Sequence, residues 1–179
     1  MRMTRVSPVQ RIIWMLPSCD VFHMKTIGVI GLGNPLRRDD GVGIILVERL
    51  QQQKKKLPKG IECIDGGTGG MNLLHLLARF DSAIIVDAVD FHGIPGESRV
   101  FTLEEIRSQK PEVRMSTHDS NFLHVLQLSK ELQELPKTLV IFGVQPHDVS
   151  HGTGLSQKVS QNLDDLCLKL QKEIMVLVK

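Results

Sequence analysis

Apolar positions along the chain alternate between short continuous runs and helically spaced stripes. Thr26 to Leu32 is apolar on both faces, the pattern of a central parallel strand. After a polar interval, Val42, Ile45, Leu46 and Leu50 form one helical stripe. Gly60 to Asp65 predicts a short second strand, stopped by the loop Gly66-Gly67-Thr68-Gly69-Gly70. Met71 to Phe80 returns to helical spacing, with Leu73, Leu74, Leu77 and Phe80 on one side. Ser82 to Val89 predicts a third strand with Ala83 to Val86 at its buried centre, and Ser98 to Thr102 predicts an edge strand before a short helix at Leu103 to Arg107. Ser116 with Asp119 outlines a capping box that opens a helix with Phe122, Leu123, Leu126 and Leu132 on its apolar side. Thr138 to Val144 reads as a last strand, and Leu155 to Val178 as a closing amphipathic helix.

The order β-α-β-α-β-β-α-β-α places the chain in the α/β class. The expected architecture is a three-layer αβα sandwich around a twisted, mostly parallel five-stranded sheet. The 179 residues are expected to form a single domain over 24–179. Residues 1–23 carry only a five-residue apolar patch, Ile12 to Leu16, too short for a signal sequence's apolar region. They are expected to be a poorly ordered extension.

Charge and cysteine usage narrow the function classes. A net charge of +2 without a basic stripe argues against a nucleic-acid partner. The cluster Lys54-Lys55-Lys56 with Lys59 reads as a solvated loop. Three cysteines with no CxxC spacing support neither a disulfide framework nor a structural zinc site, and fit a reducing, cytoplasmic setting. No apolar stretch reaches the ~18 residues of a membrane span. A monomer is the default expectation.

Candidate chemistry collects where the predicted strands end. The segment Gly31 to Gly43, GLGNPLRRDDGVG, joins the first strand to the first helix through a turn carrying Asp39 and Asp40. One aspartate there suffices to cap a helix; the second is free to face a cleft at the carboxyl end of the sheet. Asp87 follows Ile84-Ile85-Val86, where burial penalises an unpaired charge, so it is expected to hold a cation or share a proton. Asp90 is expected to be solvated. His118 sits at a helix start, either as a surface histidine or at the mouth of the same cleft. Two aspartates and a histidine make an O,O,N set suited to a borderline divalent ion such as nickel or zinc.

Several segments, in order and at similar spacing, resemble the hydrogenase maturation endopeptidases: GLGNPLRRDDGVG at 31–43, DGGTGG at 65–70, IIVDAVD at 84–90, MSTHD at 115–119, VIFGVQP at 140–146 and GL at 154–155. The resemblance implies a phosphorylase/hydrolase-like fold and a hydrolase that trims the C-terminal extension of a nickel-iron hydrogenase large-subunit precursor after nickel insertion. It implies metal ligands and catalytic groups at Asp40, Asp87 and His118, with Asp39 the likelier cap. It implies nickel carried by the substrate, and the loop Asp65, Gly66, Gly67 and Thr68 as a place where substrate backbone approaches. Other readings fit less well. A peptidyl-tRNA hydrolase also opens with GLGNP, but the Arg-His-Asn run of that family is missing and the chain has no tyrosine. A dinucleotide-binding module needs a glycine where Leu36 stands. A non-enzymatic nickel-binding chaperone would use the same ligands without cleavage.

Overall fold

The computed structural model describes residues 26–53, 57–108, 114–115 and 119–179. The expected extension 1–23 and the lysines at 54–56 lie outside the described residues. Six strands form among the described residues, β1 (Ile27–Gly31), β2 (Ile61–Asp65), β3 (Ser82–Asp90), β4 (Ser98–Thr102), β5 (Arg114–Met115) and β6 (Thr138–Val144). Between and after them run α1 (Val42–Gln52), α2 (Asn72–Leu77), α3 (Leu103–Ser108), α4 (Asp119–Glu131), α5 (Gln157–Ser160) and α6 (Leu163–Val178).

The main sheet has the five-strand order β2-β1-β3-β6-β4, and the two-residue β5 pairs with β3 off that path. β1 is parallel to β2 and β3, and β3 is parallel to β6. β4 returns antiparallel at the edge, as its half-polar pattern predicts. Long crossovers supply the parallel neighbours, and the direct β3–β4 loop leads to the antiparallel one.

β3 is the centre of the molecule. It is buried from Ser82 through Val89 and divides the core in two. Ile84, Val86 and Ala88 face a cluster that includes Val42, Leu46 and Leu50 of α1 and Leu166, Leu170 and Ile174 of α6. Ala83, Ile85 and Val89 face the opposite cluster, with Leu73 and Leu77 of α2 and Phe122 and Leu126 of α4. Helices on both faces explain why this strand reads as one continuous apolar run.

Two segments differ from their sequence reading. The closing helix is broken into α5 and α6: Ser156 starts α5 by accepting a hydrogen bond from the Val159 N–H, while Asn162 donates from its side chain to Lys158 O and precedes a fresh first turn with Asp164 and Asp165. Leu132 lies past the end of α4 and is exposed, because the chain turns there and Gln133 takes a left-handed backbone conformation (φ 59°).

What positions the site is the close seat of α1 on the sheet. A Cβ at Gly43 would overlap the backbone oxygens of Val86 and Leu32, so the first turn of α1 rests directly on β3. Gly43→Ala is therefore expected to lower stability by about 1–3 kcal/mol, the usual cost of overpacking, measured by denaturant unfolding.

Candidate functional site

β1 hands the chain over at Leu32, whose N–H donates to Val86 O (2.8 Å), and Gly33, whose N–H donates to Gly67 O (2.9 Å). A tight turn follows, closed by the Arg37 N–H on Asn34 O. Arg38 then adopts φ 46°, a left-handed conformation costly for a residue with a side chain, and opens a 3-10 turn over Arg38–Gly41. Its N–H donates to Gly152 O (3.0 Å), which helps hold that conformation. Side chains of this segment divide between two tasks. Arg37 and Asp40 line a cavity, whereas Arg38 and Asp39 grip the loop 147–156.

Asp39 is not a helix cap, contrary to the sequence expectation. Its carboxylate is fully buried and accepts four hydrogen bonds: at Oδ2 from the N–H groups of His147 and Asp148 (2.9 Å each) and the Ser156 hydroxyl (2.8 Å), and at Oδ1 from the Ser156 N–H (2.6 Å). A buried carboxylate needs donors, and this loop supplies them at short, charge-assisted distances. Arg38 Nε lies 3.2 Å from Asp148 Oδ2. Hydrogen bonds from Ser150, and more weakly the Arg38 charge, hold the Asp148 carboxyl below the usual range.

Asp40 has the opposite character. It is 4% exposed, and its Oδ2 accepts from the Asn34 N–H (2.9 Å). Its Oδ1 is buried and accepts no hydrogen bond among the described residues. A buried carboxylate oxygen without a donor is costly, and it offers a ready place for a cation. Asp40 opens on a cavity of about 250 Å³ whose wall also includes Arg37, Ala88, Asp90, Met115, Pro146 and Val149.

Asp87 is fully buried on β3, opposite Gly143 of β6, and its Oδ1 accepts from the Ala88 N–H (2.9 Å). By strand alternation it shares a face with Ile85 and Val89, and Met115 of that same cluster lines the Asp40 cavity together with Ala88 and Asp90. Asp40 and Asp87 thus both lie at the carboxyl end of the sheet. His118 lies outside the described residues, as does Ser116 of the expected capping box. Among the described residues, no three His, Cys, Asp or Glu side chains gather closely enough to hold a metal ion by themselves.

Asp90 is part-exposed, as expected, with 43% of its side chain open to solvent. It also accepts from Gln145 Nε2 (3.0 Å) and the His92 N–H (3.1 Å), with His92 Nδ1 at 3.5 Å, and it lines the cavity with Asp40. The available signal was strand length: carrying β3 one residue past Val89 puts Asp90 on the side opposite Asp87. Gln145 is itself buried, and its Oε1 accepts from Phe91 N–H and Gly93 N–H.

The glycine loop after β2 frames a second, larger cavity of about 530 Å³, lined by Asp65, Gly66, Gly67, Asn72, His75 and Leu76. Asp65 Oδ1 accepts from the Gly67 N–H (2.8 Å), and the Gly66 N–H donates to Gly31 O (2.8 Å). Thr68 is exposed in the same loop. Gly67 takes φ 58°, and no atom lies within 4 Å of the Cβ position, so its backbone stands open.

The two adjacent aspartates should therefore respond differently to substitution. Asp39→Ala strands four donors and is expected to cost about 3 kcal/mol or more, with faster amide exchange at His147, Asp148 and Ser156. Asp40→Asn keeps the bond from Asn34 and relieves a buried charge, so unfolding measurements should place it within about 1 kcal/mol of wild type.

Comparison with known proteins gives this geometry a setting. The chain is 33% identical over 137 residues to the hydrogenase expression/formation protein HoxM of Azotobacter vinelandii, covering 76% of this chain and 66% of that protein. It is 34% identical over 137 residues to the hydrogenase 2 maturation protease of Escherichia coli K12, covering 76% of this chain and 82% of that one. The matched region spans about two thirds of the curated relatives HoxM and the HupM protein of Azotobacter chroococcum, 66% and 65%. Among solved structures, the hydrogenase maturating endopeptidase HybD from Escherichia coli superposes with a TM-score of 0.70 at 32% identity, covering 81% of this chain and 89% of that one. The HybD protease of Thermococcus kodakarensis shares the fold at a TM-score of 0.70 and 23% identity. Residues 44–173, a span that includes Asp65 and Asp87 and begins just past Asp40, match the hydrogenase maturation proteases, and the chain belongs to that family.

Proposed function

We propose that this protein is an endopeptidase that removes the C-terminal extension from a nickel-iron hydrogenase large-subunit precursor once nickel has been inserted. The observation that carries the reading is the buried, unpartnered Oδ1 of Asp40, in a chain of the hydrogenase maturation protease family. An oxygen held ready in this way suits a cation delivered by the substrate, with the precursor's own ligands completing the shell.

In this reading Asp40, Asp87 and His118 recognise the substrate-borne nickel. Bound nickel supplies Lewis acidity and fixes the position of the nearby peptide. Asp39 acts indirectly, by locking the loop 147–156, which carries Val149 and follows Pro146 along the cavity rim. The open backbone around Gly67, with Asp65, Gly66 and Thr68, receives the extended substrate segment. The reaction is hydrolysis: water adds across one peptide bond, leaving a new carboxylate on the mature subunit and an amine on the released extension. Cys167 is unsuited as a nucleophile, because burial pushes its thiol above the ordinary range. We place the reaction in the cytoplasm, with the protein acting as a monomer.

Incubation of the purified full chain with nickel-loaded precursor is expected to give a shortened large subunit, read by gel mobility and intact mass, while nickel-free precursor stays uncut. Asp40→Ala should reduce the rate by at least about 100-fold. Equal cleavage by wild type and Asp40→Ala, or no cleavage by wild type, would overturn the assignment.

A further inference from the structure

Arg37 brings an anchored guanidinium to the cavity that Asp40 lines. Its backbone is fixed on both sides: the N–H donates to Asn34 O (2.9 Å), and the C=O accepts from the Asp40 N–H (3.0 Å). The flanking residues clasp Gly152, whose N–H donates to Leu36 O (2.9 Å) and whose C=O accepts from the Arg38 N–H (3.0 Å). The side chain is tied as well, its Nε donating to Val149 O (3.2 Å). That bond uses one donor of the planar fork and leaves both Nη groups without a hydrogen-bond partner among the described residues.

Three other arginines are used differently. Arg38, Arg49 and Arg79 each lie against a carboxylate, of Asp148, Asp164 and Glu62 in turn. Arg37 forms no ion pair among the described residues, although two carboxylates share its cavity. Asp90 is engaged by Gln145 and His92. Asp40 sits one hydrogen-bonded turn away, and its Oδ1 has no donor among the described residues, yet the guanidinium does not close on it. A charge-assisted bond between them would be strong; Arg37 is tied at Val149 O instead. The cavity therefore presents an acceptor for a cation and, separately, a cluster of N–H donors. A metal-bearing peptide that gains charge on a carbonyl oxygen has both matching parts.

We propose that Arg37 is a catalytic residue whose Nη groups donate to the scissile carbonyl oxygen of the precursor and stabilise the oxyanion formed when water adds. The proposal rests on the endopeptidase reading and deepens it. As the water oxygen bonds to the carbonyl carbon, the C=O electron pair moves onto the oxygen, where the guanidinium meets it. Collapse restores the C=O and breaks the C–N bond; one water proton passes to the departing nitrogen, and the other leaves as the new carboxyl group ionises. Donors fixed in advance, as Arg37 is by its backbone and Nε, act on such charge without reorganising first.

The test is single-turnover cleavage of nickel-loaded precursor by the full chain, with the saturated rate and the half-saturating enzyme concentration read separately. Arg37→Gln is expected to lower the saturated rate by about 100-fold, the usual effect of removing an oxyanion donor, while half-saturation changes little. Arg37→Lys should recover part of the rate. Arg37→Ala should regain rate when guanidinium ion is added at concentrations too low to unfold the protein. Lys169→Gln, on α6 and paired there with Asp165, should match wild type, and unfolding midpoints check that each variant is folded. A saturated rate for Arg37→Gln within about twofold of wild type overturns the proposal. So does a loss confined to half-saturation with no response to guanidinium ion, which makes Arg37 a binding contact only. Equal cleavage by wild type and Arg37→Gln removes the Arg37 role alone, whereas no cleavage by wild type removes the endopeptidase reading and this role with it.

Discussion

The Asp39 carboxylate joins two parts of the chain separated by more than a hundred residues, and the cavity beside it exists because of that tie. The turn after β1 and the loop before α5 each leave backbone N–H groups without helix or sheet partners. One buried carboxylate gathers three of the loop's N–H donors and a hydroxyl, and Arg38 reinforces the contact through Asp148. Ser156 serves both ends of this arrangement, donating to Asp39 while its hydroxyl accepts from Val159 to start α5. The loop wall formed by Pro146 and Val149 is therefore tied by hydrogen bonds to the turn after β1.

Against that fixed wall, the sheet supplies the other half of the site. Close packing at Gly43 and Gly33 lowers the turn onto the ends of β1 and β3, which brings Asp40 level with Ala88 and Asp90. Stability and chemistry are assigned to neighbouring residues: Asp39 has every oxygen satisfied, whereas Asp40 keeps one buried oxygen without a donor among the described residues. A fold tolerates such an oxygen when the surrounding hydrogen bonds over-determine its place, and it is the kind of local cost that marks binding sites.

Much of the architecture was legible because the pattern of apolar residues matches its cause. β3 is buried on both faces and reads as an unbroken run, and β6 falls on its predicted bounds, Thr138–Val144. The helix stripes of α1 and α2 are the residues that enter the two cores. Of the candidate site, the sequence pointed to Asp40, which lines the cavity. Asp40 stood out through the paired carboxylates, but which of the pair turned inward depends on Arg38 adopting a left-handed conformation, and an arginine carries no signal for that. The contact of Asp90 with Gln145 carried no signal, because the two are 55 residues apart and meet only once β3 and β6 are paired.

The left-handed turn at Arg38 has a consequence for how this segment can vary. The outer residues of the run Arg37 to Asp40 line the cavity and the inner pair grip the loop, and the left-handed backbone of Arg38 lies within that sorting. Substitutions there alter one task at a time, but adding or removing a single residue would displace Asp39 and Asp40 together. The cavity would lose Asp40 in the same step that the loop lost Asp39. The spacing of this segment is thus constrained more tightly than its composition.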